Sequence, residues 1–184
     1  TYEDLLSIFD FNSFLNIFFR EFSLNFNTIN SYIPFNQMNN LQLISLRNLK
    51  FNKSLFNFER DLLFNSNLKQ LDLSGVLFNI NLNSPIHNAT YLYHLKLSDC
   101  GIKYINTSLD LKKFPQLVNL DLSQNKIEFI KAEYFKNNNK LQRLNLSHNK
   151  INFIDEINFG RLYELDLAFN NIKTLSIITL GTLM

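Results

Sequence analysis

Three histidines and one cysteine are the side chains in this 184-residue chain best suited to nucleophilic or metal chemistry: His87, His94, His148 and Cys100. A thiol becomes a strong nucleophile when a neighbouring imidazole takes its proton, and His94 stands six positions before Cys100. Zinc would need clustered ligands of the C-x-x-C or H-x-x-x-H kind, and neither spacing occurs. No G-x-G-x-x-G or Walker sequence offers backbone amides to a phosphate, and the chain has only four glycines. Four N-x-S/T triplets, beginning at Asn52, Asn88, Asn106 and Asn145, are glycan acceptors if the chain enters a secretory pathway.

Bulk properties narrow the field further. A net charge of +2 argues against a dedicated nucleic-acid or polybasic membrane-binding role. One cysteine excludes any disulfide within the chain. A membrane span needs about 20 consecutive apolar residues; the apolar stretch from Phe14 to Phe22 is short and broken by Arg20 and Glu21. At 46% hydrophobic residues the chain can build one sizeable core. The composition leans on Phe (nineteen) and Asn (twenty-nine), which raises the question of low complexity.

A repeat answers that question and supplies the elements that position the side chains above. Leu117-Val-Asn-Leu120-Asp-Leu122-Ser-Gln-Asn125-Lys-Ile127 is matched by Leu141 to Ile151, with Asn149, and by Leu162 to Ile172, with Asn170. The frame continues backwards through Leu92-Leu95-Leu97-Cys100, Leu68-Leu71-Leu73-Val76, Leu41-Ile44-Leu46-Leu49 and Phe19-Phe22-Leu24-Asn27. Units therefore start at 19, 41, 68, 92, 117, 141 and 162. Residues 1–18 read as a remnant coil or N-terminal cap, and 1–184 as one domain, a fragment of a longer solenoid.

The period-2 part of L-x-x-L-x-L puts alternate side chains on opposite faces of a short strand. One coil cannot bury its own leucine face, whereas stacked coils bury a continuous core. The Asn after the strand bonds backbone groups that the turn leaves unpaired, so Asn27, Asn125, Asn149 and Asn170 are expected to form an interior ladder. Six and three residues before each start, Phe35, Leu62, Ile86, Leu111, Phe135, Met38, Ala89 and Phe114 should fill the convex side. The coil of Leu141, with Glu156 and Phe159 there, should have a shorter convex segment. Leu49 and Val76 depart from the ladder, so local irregularity is expected at both.

The pattern resembles the leucine-rich-repeat family, and the likeness covers about nine-tenths of the chain. It implies an α/β-type repeat solenoid, a horseshoe with a parallel β-sheet on the concave face and irregular or short helical convex segments. It also makes Cys100 the family's usual substitute for the ladder Asn. The frame then separates His94, on the outward strand face, from Cys100, inside the turn, and a nucleophilic pair fails. No enzyme and no cofactor are expected.

Function should lie on the concave sheet, where outward residues of successive coils form columns about 4.8 Å apart. One column reads Ser23, Ser45, Asp72, Lys96, Asp121, Asn145, Asp166. The other reads Glu21, Leu43, Gln70, His94, Asn119, Arg143, Glu164. With Tyr93, Tyr163 and Phe169 at the borders, this is a mixed-charge face for a protein ligand or co-receptor. Its bland alternative is that Asp72–Lys96–Asp121 and Arg143–Glu164 are cross-strand pairs that only keep the sheet soluble.

The units Leu120-Asp-Leu-Ser-Gln-Asn125 and Leu144-Asn-Leu-Ser-His-Asn149, with Phe135 on the convex side, resemble the 24-residue extracellular class of Toll-like receptors and chaoptin-type adhesion receptors. That resemblance implies a cell-surface glycoprotein ectodomain in ligand recognition, adhesion, signal transduction or innate immunity, anchored outside these residues. A cytoplasmic adaptor resembling phosphatase regulators, or a plain scaffold, is the alternative; the shorter spacings and lack of disulfides suit it. Open solenoid ends would favour self-association.

Overall fold

The computed structural model describes residues 21–25, 28–29, 41–48, 50–51, 67–77, 91–105, 109–173 and 178–180. Seven strands form one parallel sheet: β1 (Glu21–Asn25), β3 (Leu43–Arg47), β5 (Gln70–Asp72), β6 (His94–Lys96), β7 (Asn119–Asp121), β9 (Arg143–Asn145) and β12 (Glu164–Asp166), in that order. Shorter strands pair beside it: β2 (Thr28–Ile29) with β4 (Lys50–Phe51), β8 (Phe129–Ile130) with β10 (Phe153–Ile154), and β11 (Ile157–Phe159) with β13 (Ile178–Leu180). Sheet order follows chain order, as in a solenoid whose coils contact only their neighbours.

The register is the one the leucine spacing predicts. Gln70, His94, Asn119, Arg143 and Glu164 are successive Cα partners, and so are Asp72, Lys96, Asp121, Asn145 and Asp166. Between them Leu71, Leu95, Leu120 and Leu144 point inward with at most 2% of their surface exposed. Leu73, Leu97, Leu122 and Leu146 add a second buried row, and Leu41, Leu68, Leu92, Leu117, Leu141 and Leu162 a third. Burying one such side chain stabilises by about 1.5–3 kcal/mol. Leu165, in the last strand of the seven-stranded sheet, and Leu167, just after it, are only partly buried.

The interior ladder forms where it is described. Asn125 accepts from the amides of Cys100 (3.1 Å) and Ile102 (3.0 Å) and donates to the carbonyls of Leu97, Leu122 and Ser123. Asn149 accepts from the amide of Ile127 and donates to Leu122, Leu146 and Ser147. Asn170 accepts from Ile151 and donates to Leu146, Leu167 and Ala168. Cys100 substitutes with its thiol, 3.2 Å from the Leu73 carbonyl. At Val76 the expected irregularity is small: the side chain is buried and its amide bonds the Leu73 carbonyl. Asn27 and Leu49 lie outside the described residues.

Among the described residues, the one just before each of the other six ladder positions is left-handed. Asn48, Gly75, Asp99, Gln124, His148 and Phe169 all have φ between 53° and 74°. Five different non-glycine residue types hold this conformation, which costs an L-residue about 1–2 kcal/mol. A second, backbone ladder offsets that cost: the amides of Asn48, Gly75, Asp99, Gln124 and His148 each bond a carbonyl of the following coil at 2.7–3.1 Å.

On the convex side the described segments carry two 3-10 helices, Leu111–Lys113 and Ala132–Phe135. The first starts at Asp110, whose carboxylate accepts from the Lys112 amide. Leu111, Phe114 and Phe135 are buried as expected. In the shorter coil Glu156 is exposed, while Phe159 is buried edge-on against Phe135, centroids 5.2 Å apart. Phe35, Met38, Leu62, Ile86 and Ala89 lie outside the described residues. Among the described residues no helix is long and apolar enough to cross a membrane.

Candidate concave binding face

Nine of the twelve side chains expected on the concave face line one groove of about 480 Å³: Gln70, His94, Lys96, Asn119, Asp121, Arg143, Asn145, Glu164 and Asp166. Asp72 lines a smaller depression beside it, of about 180 Å³. Tyr93 is half-buried at the start of its strand, and Tyr163 is exposed at the border.

The Asp and Asn side chains of the column that runs from Asp72 to Asp166 are turned onto their own coils. The Oδ1 of Asp72 accepts from the amide and hydroxyl of Ser74, at 3.0 and 2.7 Å. Asp121 does the same with Ser123, and Asn145 with Ser147, each at 2.9 and 2.7 Å. Asp166 accepts from the Ala168 amide. These are side-chain turns that terminate the strand. The sequence signal is Asx followed two residues later by Ser, which reading the column for charge alone overlooks. Lys96 breaks the pattern; in its coil the Ser98 hydroxyl instead lies 3.0 Å from Ser123 Oγ.

The charge pairing differs from a simple cross-strand row. Arg143 Nε lies 2.9 Å from Glu164 Oε2, and its guanidinium sits 5.4 Å from the centre of the Tyr163 ring. Asp72 pairs with Arg47 at 3.8 Å, not with Lys96. Among the described residues Lys96 has no ion pair, although it is in register with Asp72 and Asp121. Asp72 gives its Oδ1 to Ser74 and its Oδ2 to Arg47, and Asp121 gives its Oδ1 to Ser123. The formed pairs are exposed and each is worth about 0–1 kcal/mol, so they orient side chains more than they stabilise.

His94 and Asn119 meet across β6 and β7, with 2.7 Å between His94 Nδ1 and the Asn119 amide nitrogen. The amide donates, so Nδ1 is the acceptor and the neutral ring carries its proton on Nε2. Burial, then the charges of Arg143 and Lys96, hold the His94 pKa below its ordinary value of 6.5. The Asn119 Oδ1 is buried with no hydrogen-bond partner among the described residues. Cys100 is fully buried, and burial pushes its thiol up to about 12. It is therefore a protonated structural thiol on the opposite side of the strand from His94. No group of three His, Cys, Asp or Glu side chains able to hold a metal exists among the described residues.

Two borders carry aromatics. His148 and Phe169 stack at 4.2 Å on the left-handed turns, leaving Phe169 74% exposed. On the other flank Tyr104 and Phe129 lie 5.9 Å apart, with Phe153 in register beyond Phe129. On the convex side Asn138 occupies the place Phe114 takes one coil earlier, and donates to the carbonyls of Leu111 and Phe114. Reading that position as apolar misses it. Asn145 lies in β9; Asn52, Asn88 and Asn106 lie outside the described residues.

A family model described as leucine rich repeat matches residues 115–172. Residues 115–172 carry leucine-rich repeats. Among solved structures, an internalin from Listeria monocytogenes matches 84% of this chain with 21% identity and a TM-score of 0.62. The leucine-rich repeat domain of APL1B matches 87% with 19% identity and a TM-score of 0.57. The chain spans 43% and 50% of those two structures, so the likeness is one of fold. A comparison with curated proteins finds no match. The repeat model covers the three coils with the fullest leucine and asparagine pattern, and the solved structures extend the likeness over the weaker ones.

Proposed function

We propose that the repeats form a non-catalytic recognition module that takes a protein ligand or co-receptor on the concave face. The observation that carries this reading is the groove itself. It gathers nine polar side chains; among the described residues the exposed Lys96 ammonium has no ion pair and the buried Asn119 Oδ1 has no hydrogen-bond partner. A polar group left unpaired away from water costs about 1–3 kcal/mol, which a partner's hydrogen bond would relieve. Arg143, already oriented by Glu164 and Tyr163, is a pre-organised anchor.

The module belongs, on this reading, to an extracellular or cell-surface receptor of the Toll-like or adhesion type. Support comes from the 24-residue units, the convex Phe135 and the four N-x-S/T triplets. Mass measurement after expression in secretory cells tests the compartment: no glycan at Asn88 or Asn106 counts against it. A screen against an arrayed library of extracellular proteins tests recognition. Replacing Lys96 and Arg143 by Glu together is expected to weaken each ligand found at least tenfold, with the circular dichroism spectrum unchanged. Unchanged binding refutes a concave site. Self-association through the partly buried Leu165–Leu167 edge is expected as well, read by sedimentation velocity.

A further inference from the structure

We infer that His94 and Asn119 form a proton-driven switch in the wall of the groove: the side-chain amide of Asn119 turns over when the His94 ring takes up a proton. Its role in recognition rests on the concave site proposed above; its mechanism rests on hydrogen-bond chemistry alone. The two residues are Cα partners on β6 and β7, and His94 Nδ1 lies 2.7 Å from the Asn119 amide nitrogen. Both line the groove.

A neutral imidazole has one nitrogen that accepts and one that donates, whereas an imidazolium has two donors and no acceptor. The contact therefore exists only while His94 is neutral with its proton on Nε2. Protonation of Nδ1 would set two donors against each other at hydrogen-bond distance. A half-turn about χ2 of Asn119 resolves this, bringing Oδ1 to the new Nδ1–H and carrying the amino group to the place Oδ1 held. Little opposes that turn. Among the described residues the amide nitrogen bonds only His94, and Oδ1 has no hydrogen-bond partner. Asn125, by contrast, is fixed by five bonds and cannot turn.

The surroundings set which state prevails. The in-register neighbours of His94, Gln70 on β5 and Asn119 on β7, carry no charge. Lys96 on its own strand and Arg143 on β9 are cationic. In the next column Asp72 is held by Ser74 and Arg47, and Asp121 by Ser123, while Glu164 is paired with Arg143. Burial and the two cations favour the neutral ring, so the turned state appears only as pH falls through a folded-state value below 6.5. The free end of Asn119 is then an amino group in place of an oxygen. A partner that donates to Asn119 Oδ1 thus prefers the neutral state and loses affinity on acidification. By linkage, its binding lowers the His94 pKa further.

NMR of the full chain labelled with nitrogen-15 tests the switch without any partner, so its failure is distinct from failure of the concave reading, which the ligand screen decides. At neutral pH the long-range proton–nitrogen pattern of His94 is expected to show the Nε2–H tautomer. On acidification the Asn119 side-chain NH2 signals should move with the same midpoint as the His94 ring and lose their contacts with it. Asn119→Asp places a permanent acceptor opposite Nδ1. It should raise the His94 midpoint by about one pH unit or more and convert the neutral ring to the Nδ1–H tautomer. If that variant does not fold, the wild-type titration decides alone. An Nδ1–H tautomer at neutral pH, NH2 signals that ignore the His94 titration, or ring contacts that persist in the protonated state would each overturn the inference.

Discussion

Replacing Asn125 by Ala removes five hydrogen bonds, but not all of their partners are left empty. The Leu122 carbonyl keeps the amide of Asn149, and the Ser123 carbonyl keeps the backbone amide of Asp99. The groups stranded are the amides of Cys100 and Ile102 and the carbonyl of Leu97. At about 1–3 kcal/mol for each buried unsatisfied group, less what water entry recovers, the expected loss is about 3–5 kcal/mol. Against a typical total of about 5–15 kcal/mol, that is a large share. Asn170→Ala, on the half-buried last coil, should cost only about 1 kcal/mol because solvent replaces the lost partners. Asn125→Cys should fall between, since a thiol restores a donor to Leu97 as Cys100 supplies one to Leu73. Urea unfolding followed by circular dichroism gives the energies, and amide exchange at Cys100 and Ile102 locates them. If Asn125→Ala costs no more than Asn170→Ala while both amides stay protected, the ladder does not hold the coils together as described.

Further expectations concern titration, reactivity and the turns. The folded-state pKa of His94 is below 6.5, so its contribution to stability is full above that pH and is lost as pH falls through the folded value. Arg143→Gln should raise the His94 pKa only part-way in an NMR titration, because burial is the larger cause; a full return to 6.5 would contradict that order. With its thiol near 12 rather than 9.0, native Cys100 should alkylate at pH 8 on the order of a thousandfold more slowly than in the unfolded chain. Comparable iodoacetamide rates would show that the thiol is not in the core. Gly75→Ala should destabilise more than Gly101→Ala in thermal melts. Both have positive φ, costing about 1 kcal/mol, but a Cβ at Gly75 also runs into Asn48 whereas one at Gly101 meets only Leu77 at 3.8 Å. Equal losses at the two sites would mean that Asn48 moves aside freely.

Much of this architecture was legible because leucine spacing is a geometric statement. A period of two within each unit fixes which residues share a face, so both concave columns follow from counting, and so does the ladder at Asn125, Asn149 and Asn170. The left-handed turns were not legible. Asp99, Gln124, His148 and Phe169 share no chemical trait; the first three are each tied by their amide to the next coil, and Phe169 holds the same conformation with no such bond among the described residues. The alternative of an Asp72–Lys96 pair does not form: the Asp72 carboxylate turns one oxygen to its own Ser74 and the other to Arg47. Asn138 shows the opposite case, a polar residue in an apolar place because two carbonyls there need a donor.

Each ladder asparagine reaches back one coil: Asn125 to Leu97, Asn149 to Leu122, Asn170 to Leu146. The backbone bonds at the left-handed turns likewise reach only the next coil. A coil is therefore addressed to a generic neighbour and not to a particular one. Excising Leu117 to Lys140 would set Leu141 where Leu117 stood and offer the Asn149 side chain to the amides of Cys100 and Ile102. The number of turns is thus an editable quantity, and the span of the concave face can be lengthened or shortened without redesigning any single coil.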